Sequence, residues 1–334
     1  MDIKEIGEFG LIERIKKTIS RPPAEVFVGI DDDAAAYVVS EDILQLITTD
    51  ILVEHVHFNM EYFTFSQLGW RSLAANLSDI AAMAGTPQYA VVSIAIPDVI
   101  KVESIEELYG GMQELADLFS VSIIGGDTTR SKSGLVINIA VIGSVNKQKI
   151  TLRSGALPGD AVFSTGDLGG SIAGLQVLSK NKAGIKADAV IRKHLTPMPR
   201  VKEAEFLSRN IDIHAMIDVS DGLASEVGHI CRCSSVGAEI EEALFPIDDE
   251  TRAVAAHFDD DALDYALSGG EDFELVFTAD EKAVNAVKVK FEEQFSIQLS
   301  KIGIVTPAER GIVLCTKQNK IKQLHESGWN HFSQ

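Results

Sequence analysis

The aspartates of this chain gather in short segments rich in Gly, Ala, Ser and Thr. They are Gly29-Ile30-Asp31-Asp32-Asp33-Ala34-Ala35, Thr48-Thr49-Asp50-Ile51-Leu52-Val53, Gly125-Gly126-Asp127-Thr128-Thr129-Arg130, Ile217-Asp218-Val219-Ser220-Asp221-Gly222 and Ser268-Gly269-Gly270-Glu271-Asp272. Several directly follow apolar runs that read as strands. Loops at strand ends are where α/β proteins build their sites, and a glycine beside an acid lets the backbone approach a ligand closely. Asp79 interrupts a helix of small apolar residues, so its carboxylate needs a partner, and Arg71 is one candidate. Carboxylates crowded together raise one another's pKa unless a cation intervenes. A hard divalent cation such as Mg²⁺ takes such oxygens and shares them with substrate phosphates. Thr48 and Thr49 add neutral oxygens. Taken singly, each segment also reads as a solvated turn, and Ser220 and Asp221 read as caps for a helix starting near Gly222.

The elements that must position these acids follow from periodicity. Residues 44–49, 89–96, 121–124, 135–142, 161–165, 215–217 and 274–277 read as strands. Residues 66–84, 104–119, 171–178, 201–209 and 222–231 read as helices. Strands interleaved with helices give an α/β (α+β) protein. A polar stretch at 143–149 divides it into domains at 1–146 and 147–334. The echo between residues 76–81 and 218–223 is a weak sign of duplication.

The chain has 334 residues, 30 basic and 49 acidic, giving a net charge of −19. Hydrophobic residues at 46% and charged residues at 24% are ordinary for a globular protein with two cores. The acidity argues against nucleic acid and anionic membranes as partners. It leaves a phosphate substrate open, provided cations sit between. Acidic residues come early, no signal-peptide core follows, and the longest apolar runs are about half the ~20 residues of a spanning helix. Cys231, Cys233 and Cys315 are odd in number and form no Cys-x-x-Cys pair, so a cytoplasmic protein is expected. No P-loop, dinucleotide fingerprint, nucleophile elbow or zinc-protease motif occurs. What remains is substrate positioning with metal electrostatics, the pattern of phosphoryl transfer without a covalent nucleophile.

Together these segments resemble the thiamine-monophosphate kinase family of the PurM-like (aminoimidazole-ribonucleotide-synthetase-like) superfamily. The resemblance runs from residues 7–12 to residues 328–332, through 29–35, 48–58, 76–83, 125–130, 151–155, 217–223 and 268–275. It implies a two-domain PurM-like fold whose N-terminal strands form an intersubunit barrel in a homodimer. It implies ATP-dependent phosphorylation of thiamine monophosphate to thiamine diphosphate, assisted by several Mg²⁺ ions. On this resemblance Asp33, Thr48, Thr49, Asp50, Asp79, Asp127, Asp218 and Asp221 hold the metal. Tyr109, Gly126, Asp127, Arg153 and Ser220 contact ATP. His57, Glu271 and Trp329 contact thiamine monophosphate. The residue chemistry suits these roles: Arg153 can grip a triphosphate bidentately, and Trp329 offers a face to a cationic ring. Other readings stand beside them: Trp329 as a C-terminal anchor, His57 as cover for the sheet, Tyr109 as a core aromatic. The chain departs from the family pattern at Asp31, where glycine is usual, and at Ala84-Gly85, where the order is reversed. The rivals are another PurM-like ATP-dependent synthetase and a non-catalytic nucleotide sensor.

Overall fold

The computed structural model describes residues 2–20, 22–180 and 184–324. Helix α1 (Ile3–Thr18) opens the chain on a capping box between Asp2 and Glu5. Then follow β1 (Val26–Val28), β2 (Ala35–Val38), β3 (Ile43–Val53), α2 (Phe65–Ala82), β4 (Thr86–Pro97), α3 (Val102–Phe119), β5 (Ser122–Ser131) and β6 (Val136–Asn146). The strands form one sheet in the order β1-β2-β3-β6-β4-β5. All pairs are antiparallel except β4 with β5.

Alternation along β3 decides which residues meet the helices. Leu44, Leu46, Thr48 and Leu52 are buried, while Ile43, Ile47 and Ile51 are exposed. Helix α2, started by a capping box between Thr64 and Gln67, packs Leu68, Leu73 and Leu77 into the core that Ile137, Ile139 and Leu108 also fill. The opposite face of the sheet is bare: Ile51 is 53% and Tyr89 45% exposed. Strand β5 lies at the sheet edge, and a bulge between its pairings with Ala90 and Val91 leaves Ile124 as the extra residue.

The second half runs β7 (Ala161–Thr165), α4 (Gly170–Lys180), α5 (Asp188–Leu195), α6 (Val201–Asn210), β8 (Ile213–Asp218), α7 (Leu223–Ser234), β9 (Val236–Glu241), α8 (Asp249–His257), α9 (Ala262–Ser268), β10 (Leu275–Ala279), α10 (Glu281–Phe295), β11 (Leu299–Pro307), β12 (Ile312–Cys315) and β13 (Ile321–Gln323). Its sheet has the order β13-β12-β9-β11-β7-β10-β8. Strands β7 and β10 are buried at every position, including the hydroxyl residues Ser164, Thr165 and Thr278. Phe163, Phe277 and Met216 pack into the core shared with α2 and α6, while Val162, Val276 and Ile217 pack against α7. The first of these cores is continuous across both halves. The architecture is α/β in two sheets with helices, as the sequence predicts. Among the described residues, no helix is long and apolar enough to cross a membrane.

Two expectations about loops are corrected. The segments 48–53 and 125–130 do not follow strands but lie inside β3 and β5. At Gly126 the reason is close approach, since a Cβ there would stand 1.8 Å from the Val92 carbonyl oxygen.

Candidate active site

Four elements converge on one group of acids. Asp33 comes from the turn before β2, Asp50 and Thr48 from the α2-facing side of β3, Asp79 from α2, and Asp218 from the end of β8. Ligand oxygens of Asp33, Asp79 and Asp218 lie within 4.8 Å of one another. The Thr48 hydroxyl donates to Asp79 Oδ2. Asn76 Oδ1 accepts the Asp50 amide at 3.2 Å, and the Ser78 hydroxyl donates to Asp218 Oδ2 at 2.5 Å. Helical spacing places Asn76 and Asp79 side by side over β3.

Burial makes Asp50, Asp79 and Asp218 reluctant to ionise. It lifts Asp50 to about 6 and Asp218 to about 8, with Asp33 adding to the latter. Asp79 is raised well above the usual range by burial, then by Asp50, Asp218 and Asp33. Asp32 is lifted to about 7 by burial and by Asp33. Arg153 answers part of this charge. Its Nη2 and Nε donate to Asp33 Oδ1 at 2.6 and 3.2 Å, and its backbone amide donates to the Asp32 carboxylate at 3.3 and 3.2 Å. Asp33 Oδ2 is buried and has no hydrogen-bond partner among the described residues. An all-oxygen donor set with a mutually repelling charge and an orphaned carboxylate oxygen fits a hard divalent cation.

Other candidates stand apart. The Thr49 side chain lies on the bare face, where its hydroxyl donates to the Ile139 carbonyl at 3.1 Å and accepts from Asn138 at 3.0 Å. Asp127 shares that face, in the cross-strand row Ile51–Asn138–Ser93–Asp127. Its carboxylate accepts the Thr128 amide at 2.9 Å and lies outside the three-acid group. Tyr109 is half-buried on α3 against the first core. Asp221 is also outside the group. Neither it nor Ser220 caps α7, because Gly222 takes the N-cap position at φ +106 without a side-chain bond. Instead Glu226 Oε1 accepts the Asp221 amide at 2.9 Å and lies 3.5 Å from the Ser220 hydroxyl. Glu226 is a further site residue the sequence reading missed. Its position in the first turn after Ser220-Asp221 was the available signal.

The expected partner of Asp79 is corrected too, since Arg71 pairs with Glu271. Glu271 takes φ +66 and donates its amide to the Ser220 carbonyl at 2.8 Å. His57 Nδ1 accepts the Val53 amide at 3.0 Å, which fixes a neutral ring with its proton on Nε2. Trp329 lies outside the described residues. Both departures from the family pattern fall at left-handed backbone: Asp31 at φ +116 and Ala84 at φ +53. Lys16 Nζ holds both Asp31 carboxylate oxygens, at 2.7 and 2.6 Å.

Residues 31–145 match the family model described as "AIR synthase related protein, N-terminal domain", and residues 158–316 its C-terminal counterpart. The thiamine-monophosphate kinase of Bacillus subtilis strain 168 is 37% identical over 98% of this chain and 100% of its own length. That of Escherichia coli K12 is 35% identical over 98% of each chain. The solved structure of AaThiL complexed with AMPPCP and TMP superposes with a TM-score of 0.85 at 31% identity, covering 99% of both chains. With similarity over the full length and a match to both domain models, the chain belongs to the thiamine-monophosphate kinase family.

Proposed function

We propose that this chain transfers the γ-phosphate of ATP directly to the phosphate of thiamine monophosphate, breaking the bond to the β-phosphate oxygen and giving thiamine diphosphate and ADP. The observation that carries the reading is the group Asp33, Asp79 and Asp218, drawn from both halves and left short of positive charge. The AaThiL structure holding AMPPCP and TMP supports the same substrates here. Asp33, Thr48, Asp50, Asp79 and Asp218 would hold Mg²⁺; the family resemblance extends the set to Asp221, Asp127 and Thr49, which stand apart from this group. Bound there, the ions supply charge neutralisation and alignment of the phosphates.

The chain's own groups do the rest. Arg153, fixed by Asp32 and Asp33, presents a preformed guanidinium to the triphosphate. Glu226 ties down the Ser220-Asp221 turn, so that Ser220 meets the nucleotide with little reorganisation. Gly126 keeps β5 tight against β4 beside Asp127, and Tyr109 lines the nucleotide side. His57 offers its Nε2 proton and Glu271 its carboxylate to the acceptor, a contact the family resemblance also gives Trp329. No side chain needs to act as nucleophile or strong base. The acceptor phosphate is already anionic near neutral pH and attacks in line.

The bare face carrying Ile51 and Tyr89, together with the open edges β1 and β5, supports a homodimer closed by an intersubunit barrel. We place the domain boundary at 146/147, a reading supported by family models that span 31–145 and 158–316. The composition and the absence of a spanning helix among the described residues support a cytoplasmic enzyme. An assay with ATP, Mg²⁺ and thiamine monophosphate tests the function by detecting thiamine diphosphate. A folded sample that binds ATP and yields no product sinks it in favour of a nucleotide sensor.

A further inference from the structure

Helix α2 meets the second half at two polar points on nearly the same side. Ser78 holds Asp218 of the metal group at 2.5 Å. Arg71, seven residues earlier and therefore ~10 Å back along the helix, holds Glu271. The Arg71 side chain is 1% exposed and that of Glu271 35%. The guanidinium also donates to the His194 carbonyl and lies 5.6 Å from the centre of the Phe63 ring. Tyr62 and Phe63 stand 6.2 and 5.7 Å from the His194 ring, so the cation sits in an aromatic wall. A buried guanidinium is thus aimed at a carboxylate that faces partly outward. Glu271 takes a positive φ, a conformation that persists only when its surroundings hold it. Ser220 holds its amide and Arg71 its carboxylate.

We infer that Arg71 is a positioning residue for the acceptor, acting through Glu271 and extending the reading of Glu271 as an acceptor contact. The pair presents the acceptor's ring system with an oriented carboxylate oxygen whose charge is balanced, at a distance from the metal group set by the helical repeat. One rigid helix thereby gauges the separation between the acceptor's rings and the phosphates being joined.

The test compares Arg71→Met, Arg71→Lys, Glu271→Gln and the double variant Arg71→Met/Glu271→Gln in steady-state kinetics, with each substrate varied in turn. The KM for thiamine monophosphate should rise roughly tenfold in Arg71→Met while the KM for ATP moves less than about twofold. Arg71→Lys, which keeps the charge and loses the planar fork, should fall between. Added to Glu271→Gln, Arg71→Met should bring little further rise, because both remove the same contact. Parallel rises in both KM values, fully additive effects, or an unchanged KM in any folded Arg71 variant would overturn the inference. If the Met variant does not fold, the Lys variant decides by the same criteria. A wild-type enzyme that makes no thiamine diphosphate refutes the function itself, whereas normal turnover with indifferent Arg71 variants refutes only the role of Arg71.

Discussion

Arg153 in the connection between the halves donates through Nη2 to Asp33 Oδ1 at 2.6 Å, with the Asp33 side chain fully buried. This cation answers one oxygen of one acid, while Asp79 and Asp218 remain buried beside it. The imbalance defines the behaviour of the site.

Removing Arg153 leaves Asp33 as a buried charge without its partner. Arg153→Met should lower stability by ~3–5 kcal/mol in metal-free protein and raise the KM for ATP. Added Mg²⁺ should recover part of the loss, because the cation replaces the missing charge. Thermal unfolding with and without Mg²⁺ checks this, and equal losses under both conditions would contradict it.

Asp50→Asn keeps the shape of the side chain and removes its charge. Turnover should drop by ~100-fold or more, with a higher Mg²⁺ requirement, as expected when a metal site loses a carboxylate. Initial rates across a Mg²⁺ series decide it. Near-normal rates at low Mg²⁺ would count against the scheme.

The raised acids set a pH dependence. Asp32 at about 7, Asp50 at about 6 and Asp218 at about 8 all lie above their unfolded value of 3.8. The folded state therefore binds more protons than the unfolded state between pH ~4 and ~8, and stability falls as pH rises through that window. Metal-free protein should melt lower at pH 8 than at pH 5.5, and Mg²⁺ should narrow the gap. At pH 7, Mg²⁺ binding should release protons, visible by calorimetry in buffers of different ionisation enthalpy.

Ala84 sits at φ +53, where glycine carries no penalty. Ala84→Gly should stabilise the protein by ~1 kcal/mol. Gly85→Ala should do the reverse, because its methyl would stand 2.4 Å from Leu46 Cδ1 and 3.0 Å from Ile80 Cγ2. Urea midpoints of the two variants should move in opposite directions.

Much of this site can be read from residue types. Asp79 among small apolar residues marked α2 as a helix with a polar duty, and the run ending in Asp218 marked the tip of a strand. The misreadings have physical causes. Arg71 and Asp79 are eight residues apart, ~12 Å along a helix, beyond the reach of one side chain to the other. The run Gly125-Gly126-Asp127 has turn chemistry, yet Gly126 serves a tight strand pairing that only three dimensions disclose. Ser220 and Asp221 are good caps by type, but the chain enters α7 through Gly222 at a φ that moves both away from the capping position. Glu226 gave no periodic signal, since its importance comes from the turn folded back over it.

The bond between Ser78 and Asp218 joins positions 140 residues apart in the chain. A contact of such range must await closure of a long loop, whose entropy opposes it until both halves have collapsed. The three-acid group therefore cannot assemble until Asp218 has been made and the two halves have met. A partly synthesised chain carries Asp33 and Asp79 without Asp218 and holds only part of the cradle.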